Sequence, residues 1–211
     1  MVAAADGATR APDIHDKNRL WRLCGKRKQL LFLKQPGMTT PPLTLADQAA
    51  QAERLLDPAV WAYLNGGAAD ELTLRANLTA WQRLPLWPRV LRPLGGGHTR
   101  SVLAGRELAH PILLAPVALQ RLAHPDGERA SALAAAAQGA GYVLSTQSST
   151  PLETVAQAVL GDPGRGPLWF QLYWQADRGF NRALVQRAEA AGFEAIVLTA
   201  DAPVQGVRDR E

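Results

Sequence analysis

This sequence has four long apolar runs, and polar side chains lie within or directly after three of them, with types and spacing that suit ligand binding or catalysis. The runs are 112–118, 142–145, 168–174 and 195–200. The polar residues at or near their carboxyl ends are Ser145, Gln171, Tyr173, Thr199 and Asp201. Polar residues also occur at the ends of strands simply because the strands meet solvent there. Burying an amide or carboxylate without a hydrogen-bond partner, however, costs about 1–3 kcal/mol. Gln171 and Asp201, inside and directly after apolar runs, therefore indicate a ligand site most strongly.

The four apolar runs alternate with stretches of helical composition at 127–140, 151–160 and 177–191. Strands that are apolar on both faces and recur at this interval are typical of βα units in a parallel sheet covered by helices. Ligands of such folds bind beyond the carboxyl ends of the strands. Four units predict either a small open sheet or the first half of a (β/α)8 barrel. Length alone does not decide between them, because a complete barrel needs at least about 200 residues.

The chain divides by composition into three zones, namely 1–37, 38–110 and 111–211. The second zone predicts an N-terminal cap of helices at 45–56, 58–64 and 70–81, followed by an irregular segment rich in proline and glycine. Asp57 and Pro58 predict the start of its second helix, since aspartate caps helices and proline suits the first helical position. The third zone holds the four βα units.

Residues 1–37 are expected to be disordered or to be upstream sequence translated from a misassigned start, because the composition changes at Met38. The alternative is a basic amphipathic helix at 20–34 that binds an anionic membrane surface. These 37 residues hold eight basic and three acidic side chains, whereas the whole chain of 211 residues has a net charge of +4. The remainder is close to neutral, so no nucleic-acid partner is predicted.

Other classes of protein lack support in this sequence. One cysteine forbids an internal disulfide, and no apolar run is long enough to span a membrane. We therefore expect a cytoplasmic protein with no integral membrane segment, and leave peripheral association open. No phosphate-binding, dinucleotide-binding or zinc-protease motif is found. The four histidines have no metal-ligand spacing, so no metal site is predicted.

Five motifs, in order and spacing, resemble those of the FMN-dependent α-hydroxy acid oxidases and dehydrogenases, the family of glycolate oxidase, lactate oxidase, L-lactate dehydrogenase and mandelate dehydrogenase. They are YLNGGAADELT (63–73), APVA (115–118) with AHPDGE (123–128), FQLY (170–173), LTADAP (198–203) and GVR (206–208). The resemblance covers about residues 45–211. It implies a TIM barrel, of which the four units here are the first half, and FMN as cofactor.

The resemblance also implies which residues contact the flavin. The backbone of Pro116, Val117 and Ala118 would face the ring, with a main-chain N–H close to its N5 atom. Ser145, Gln171 and Thr199 would hydrogen-bond the pyrimidine end of the ring, where an amide suits the alternating N–H and C=O groups. We therefore expect the third zone to be a partial FMN-binding barrel domain.

The resemblance further implies a substrate site for a small (S)-2-hydroxy acid such as lactate or glycolate. Tyr63 and Arg208 would bind its carboxylate, Tyr173 would lie near its hydroxyl, and Asp201 would orient a histidine base. That histidine belongs to the later strands and is not found in this sequence. The implied reaction yields the 2-keto acid and passes electrons to oxygen or another acceptor, in an enzyme that is a homo-oligomer at full length.

The chain by itself is expected to bind FMN poorly and to turn over no substrate, since the family's phosphate-binding loops also lie on later strands. The alternative function is a catalytically inactive, truncated remnant of such an enzyme.

Overall fold

The structure is a computed structural model that describes residues 44–201, 204 and 206–211. The chain divides between Gln51 and Ala52 into two units, and the sheet and the candidate site belong to the second. The expectations for residues 1–37, including the basic helix at 20–34, lie outside the described residues.

Three helices precede the sheet, as predicted. They are α1 (Leu45–Leu55), α2 (Pro58–Asn65) and α3 (Leu72–Gln82). The Asp57 carboxylate accepts a hydrogen bond from the backbone N–H of Ala59 at 2.8 Å, which caps α2 as expected. Helix α3 begins two residues later than predicted, because Glu71 adopts a left-handed backbone with φ of 55°.

A short antiparallel hairpin follows, formed by β1 (Ser101–Leu103) and β2 (Arg106–Leu108). Ala104 and Gly105 join the strands with positive φ angles of 50° and 77°, the backbone that a tight two-residue hairpin turn requires. This hairpin was not predicted, since each strand has only three residues and too few positions to show an alternating pattern.

The main sheet has four parallel strands in the order β3 (Leu113–Leu114), β4 (Gly141–Leu144), β5 (Leu168–Tyr173) and β6 (Ala195–Thr199). The connecting helices are α4 (Gly127–Ala137), α5 (Leu152–Val159) and α6 (Arg178–Ala190), with a 3-10 turn at Gln120–Leu122. The α/β class and the parallel sheet are confirmed. Strand β3 is shorter than the predicted 112–118, and Pro116, which has no N–H to donate to a ladder, lies beyond its end.

The hydrophobic core lies between the sheet and its helices. Leu144, Val155 and Ala188 are fully buried, and the rings of Phe170 and Phe193 meet edge to face with centroids 5.8 Å apart. On β5 the side chains at 168, 170 and 172 belong to this core. Because side chains alternate along a strand, Gln171 lies on the opposite face.

Gly166 marks a close approach between the starts of β4 and β5. A Cβ at this position would overlap the carbonyl of Ala140 and lie 2.6 Å from the backbone nitrogen of Gly141. Gly166→Ala is therefore expected to lower the free energy of unfolding by about 1–3 kcal/mol. Urea denaturation of the 211-residue chain measures this. Gly161→Ala is the matched control, since no atom lies within 4 Å of its added Cβ. Equal urea midpoints for the two variants would contradict this assignment.

Candidate active site

A buried amide joins the carboxyl ends of three neighbouring strands. Gln171 on β5 is 2% exposed. Its Oε1 accepts hydrogen bonds from the backbone N–H of Thr146 at 3.0 Å and from the Ser145 hydroxyl at 3.4 Å. Its Nε2 donates to Thr199 Oγ1 at 2.8 Å. The structure thus brings together Ser145, Gln171 and Thr199, the three side chains predicted to contact the flavin edge, and we call these three residues the Gln171 group.

Thr146 also contacts this group and was missed by the sequence analysis. Its hydroxyl donates to the backbone oxygen of Gln171 at 2.5 Å and accepts from the backbone N–H of Tyr173 at 3.1 Å. These bonds fix the end of β4 against the end of β5. The available signal was its position directly after Ser145 at the end of a buried strand.

The predicted residues beyond β3 and β6 lie in the connecting loops. Pro116 and Val117 are exposed and Ala118 is half-buried. The backbone N–H of the next residue, Leu119, donates to the Gln147 oxygen at 3.0 Å, so the loop after β3 lies against the loop after β4. Asp201 is exposed, two residues beyond the end of β6.

Tyr173 closes β5. It is paired in register with Thr199 at the end of β6, and its side chain is half-buried. It therefore lies at the same edge of the sheet as the Gln171 group.

The predicted substrate residues Tyr63 and Arg208 are also brought together. The Nη2 atom of Arg208 donates to the backbone oxygens of Tyr63 at 2.7 Å and Gly66 at 3.2 Å, which are carbonyls at the end of α2. The guanidinium carbon lies 5.9 Å from the centre of the Tyr63 ring. Glu211 forms an ion pair with the same guanidinium at 2.5 Å.

Residues 206–211 are held against the segment after α2 by further contacts. The backbone N–H of Ala69 donates to the Val207 oxygen at 2.8 Å, and Arg210 forms an ion pair with Glu71 at 2.9 Å. The N–H of Gly67, together with the Arg210 guanidinium, lowers the pKa of the Glu71 carboxyl. These contacts place Arg208 beside Tyr63 although 145 positions separate them in the chain.

Glu128, in the first turn of α4, is a carboxylate with no exposed surface. It accepts from the backbone N–H of Gln120 at 3.0 Å and of Ser149 at 2.8 Å. The hydroxyls of Ser149 and Thr150 donate to it as well, each at 2.8 Å. Burial alone would raise the pKa of Glu128, but the donors from Ser149 and Thr150 hold it below the usual value of the carboxyl. No role was predicted for Glu128 from the sequence.

In residues 44–201, 204 and 206–211, no cluster of three or more His, Cys, Asp or Glu side chains is arranged to hold a metal ion. Among the same residues, no helix has the length and apolar character needed to cross a membrane.

Comparison with known proteins decides the family. Residues 52–211 match the family of FMN-dependent dehydrogenases. The chain belongs to this family. The predicted resemblance is thereby confirmed, and FMN is the cofactor that membership in the FMN-dependent dehydrogenases assigns.

Individual proteins similar to this chain agree with the assignment to the FMN-dependent dehydrogenase family. The chain is 48% identical over 170 residues to an L-lactate oxidase of Roseobacter sp. (strain GAI101), covering 81% of this chain and 44% of that protein. It is 40% identical over 171 residues to 2-hydroxyacid oxidase 2 of Rattus norvegicus, covering 81% and 47%. A crystal structure of mandelate oxidase with (S)-2-phenylpropionate superposes with a TM-score of 0.74 at 44% identity, covering 81% and 49%. The chain therefore spans about half the length of the relatives it matches.

Proposed function

We propose that this chain supplies the flavin-facing half of an FMN-dependent enzyme that oxidises a small (S)-2-hydroxy acid, of the size of lactate or glycolate, to the 2-keto acid. Oxygen or another acceptor would take the electrons. The observation that carries the proposal is the buried Gln171 amide, which is hydrogen-bonded to the ends of β4 and β6. A parallel sheet binds its ligands at this edge.

The donors and acceptors of the Gln171 group suit the pyrimidine end of a flavin. Thr199 Oγ1 accepts from Gln171, which leaves its hydroxyl hydrogen and a second lone pair for a ligand. The Ser145 hydroxyl donates to Gln171 and accepts from the Gln147 N–H, which leaves it one lone pair to accept from a ligand. The flavin edge alternates C=O and N–H groups, so it needs both kinds of partner. FMN, when bound, supplies the two-electron acceptor of the reaction.

The flavin-facing backbone is proposed to be that of Pro116, Val117 and Ala118. Ala118 is half-buried at the carboxyl end of the sheet, and the loop after β4 holds its neighbour Leu119. A fixed backbone N–H at this position would stabilise negative charge on the ring without reorganising during the reaction.

Tyr63 and Arg208 are proposed to bind the substrate carboxylate. The ion pair between Arg208 and Glu211 supports this, because it presents a carboxylate to the guanidinium at 2.5 Å. A guanidinium has five N–H donors and stays charged throughout the physiological range, so its bonds to backbone carbonyls leave donors for a substrate. Tyr173 is proposed to contact the substrate hydroxyl, and Asp201 to orient a histidine base.

The sheet is proposed to be the first half of a (β/α)8 barrel. The helix-facing side chains of β6 are Ile196 and Leu198, which are 38% and 55% exposed. Their register partners on β5, Phe170 and Leu172, are buried in the core. Within the described residues β6 forms an edge of the sheet, and an apolar groove of about 510 Å³ lies between the end of β5 and helix α6. A further βα unit would cover all of these features.

A fusion tests the proposed function. Residues 44–211 are joined to the portion of the Roseobacter L-lactate oxidase that follows its matched region, and we call this chimera the fusion protein. It is expected to bind FMN and to oxidise L-lactate, whereas the 211-residue chain alone should do neither at comparable concentrations. The intact Roseobacter oxidase is the positive control. If the fusion protein fails to fold, the same experiment is done with the two halves mixed as separate chains.

The proposal is contradicted by a fusion protein that unfolds cooperatively and binds no FMN. A fusion protein that binds FMN yet turns over no 2-hydroxy acid would favour the inactive remnant instead. Turnover by the 211-residue chain alone would contradict the half-barrel assignment.

A further inference from the structure

Glu128 is a buried carboxylate that the proposed mechanism does not use, and it lies between two loops that carry candidate flavin contacts. We call residues 115–122 the β3 loop and residues 145–151 the β4 loop. Within the described part of the chain, no arginine, lysine or histidine forms an ion pair with Glu128. Its charge is instead balanced by hydrogen-bond donors from both loops and by its place in the first turn of α4, the positive end of the helix dipole.

The bonds of Glu128 reach the flavin-facing backbone of the β3 loop through Gln120. The Gln120 N–H donates to Glu128, and the Gln120 side chain donates to the Val117 oxygen at 3.2 Å. The hydroxyl of Ser131, on α4, donates to the Oε1 atom of the same side chain at 2.6 Å. Between Val117 and Gln120 the backbone is strained, since Leu119 has a φ of 53°. A residue other than glycine keeps this conformation only where the surrounding structure enforces it.

The β4 loop is fixed by the same carboxylate. Ser149 contacts Glu128 through both its backbone N–H and its hydroxyl, and its hydroxyl accepts from the Arg121 N–H at 3.0 Å. At the start of this loop the Gln147 N–H donates to the Ser145 hydroxyl at 3.1 Å. The Gln147 oxygen in turn accepts from Leu119. The two loops are therefore joined to each other and to the Gln171 group.

We propose that Glu128 is a positioning residue for the flavin site: its carboxylate clamps the β3 loop to the β4 loop and so fixes the backbone of Val117 and Ala118 relative to Ser145. This rests on the proposed function. An ionised carboxylate suits the task because it only accepts hydrogen bonds and can take several at once. The lowered pKa of Glu128 agrees, since it shows that the donors favour the charged form.

The hydrogen bonds predict different outcomes for two substitutions. Glu128→Ala leaves the backbone N–H groups of Gln120 and Ser149 without their acceptor. Glu128→Gln keeps an Oε1 atom in the place where both N–H groups donate, and its Nε2 can donate to the hydroxyls of Ser149 and Thr150, which also accept. The alanine variant should therefore lose the connection that Glu128 makes between the two loops, whereas the glutamine variant should keep it. Ser149→Ala, which removes one hydroxyl, is a milder second variant.

Amide hydrogen exchange of the 211-residue chain tests the clamp without FMN. Glu128→Ala is expected to speed exchange at the N–H groups of Gln120 and Ser149 at least about tenfold relative to the amides of β5, since each donates to the charged carboxylate and such hydrogen bonds are strong. Exchange at the Leu119 N–H, which donates to Gln147 across the two loops, is expected to speed with the opening of the clamp. Ser149→Ala is expected to speed it about threefold, and Glu128→Gln by less. Val159→Ala is the matched control. Its side chain is 3% exposed in the same helical layer, so it lowers stability without touching either loop.

The fusion protein tests the consequence for the flavin. FMN binding is expected to weaken at least about tenfold in Glu128→Ala, with a shift of the flavin absorption bands, and to recover to within about threefold in Glu128→Gln. Val159→Ala should lower the thermal midpoint but leave FMN affinity and spectrum unchanged.

The possible results separate the two proposals. Unchanged loop exchange in Glu128→Ala and in Ser149→Ala overturns the clamp. Equal FMN affinity and spectra in wild type and Glu128→Ala overturn the positioning role and leave the proposed function intact. A folded wild-type fusion protein that binds no FMN overturns the proposed function and the positioning role with it, even where the exchange data show a clamp.

Discussion

Gln171→Leu is expected to abolish detectable FMN binding by the fusion protein and to lower the free energy of unfolding of the 211-residue chain by about 2–3 kcal/mol. Leucine has a similar volume, but it leaves the N–H of Thr146 without an acceptor and Thr199 Oγ1 without a donor at a buried position. Each buried polar group that loses its partner costs about 1–3 kcal/mol. The loss of FMN binding follows because the substitution removes the amide and releases the two side chains it orients.

Gln175→Leu is the matched control for this prediction. Gln175 lies four residues further along the same segment and is exposed, so its substitution should change the free energy of unfolding by less than about 0.5 kcal/mol. Urea denaturation gives the stabilities, and FMN titration gives the affinities. Tight FMN binding by folded Gln171→Leu would remove Gln171 from the flavin site.

Arg208→Met in the fusion protein is expected to lower kcat/KM for L-lactate by about 10- to 100-fold, which is the contribution of a hydrogen bond to a charged partner. Methionine keeps much of the length of the side chain but has no N–H to offer a carboxylate. Because the carboxylate is present throughout the reaction, most of the effect should be in KM, while FMN affinity stays close to that of the wild type.

Arg210→Met is the control for Arg208→Met. Arg210 lies two residues further on and forms an ion pair with Glu71. The Arg210 side chain of this pair is 48% exposed and the Glu71 side chain 18%. Loss of the pair should have little effect on KM, since partly exposed surface pairs contribute about 0–1 kcal/mol. Steady-state kinetics of both variants measure the two effects on KM. Equal effects on KM would show that Arg208 only holds residues 206–211 in place.

The sheet and its helices were predictable because their signal is local. Apolar runs bounded by glycine and proline identified β4, β5 and β6 within one or two residues, and Asp57 with Pro58 identified the start of α2. Strand β3 was predicted too long, because residues 115–118 are apolar although Pro116 cannot take part in a ladder. Apolar character identifies burial, whereas strand pairing also needs a donor at each alternate position.

The Gln171 group was predictable for a different reason. Parallel strands end at the same edge of a sheet, so polar residues at the ends of neighbouring runs must lie near one another. Glu128 was not predictable in this way, since its partners Gln120 and Ser149 come from loops 8 and 21 positions away. Only the folded chain shows that small hydroxyls and backbone N–H groups surround it. The contact between Tyr63 and Arg208 was not predictable from the strands either, since neither residue lies at the end of a strand.

The most direct test of the flavin site is a crystal structure of the fusion protein soaked with FMN. The isoalloxazine ring is predicted at the carboxyl ends of β3 to β6, with its pyrimidine end within hydrogen-bond distance of Gln171 and Thr199 and its central ring against the backbone of Ala118. Ring density at any other place on the fusion protein, with these residues left in contact with solvent, would contradict the assignment.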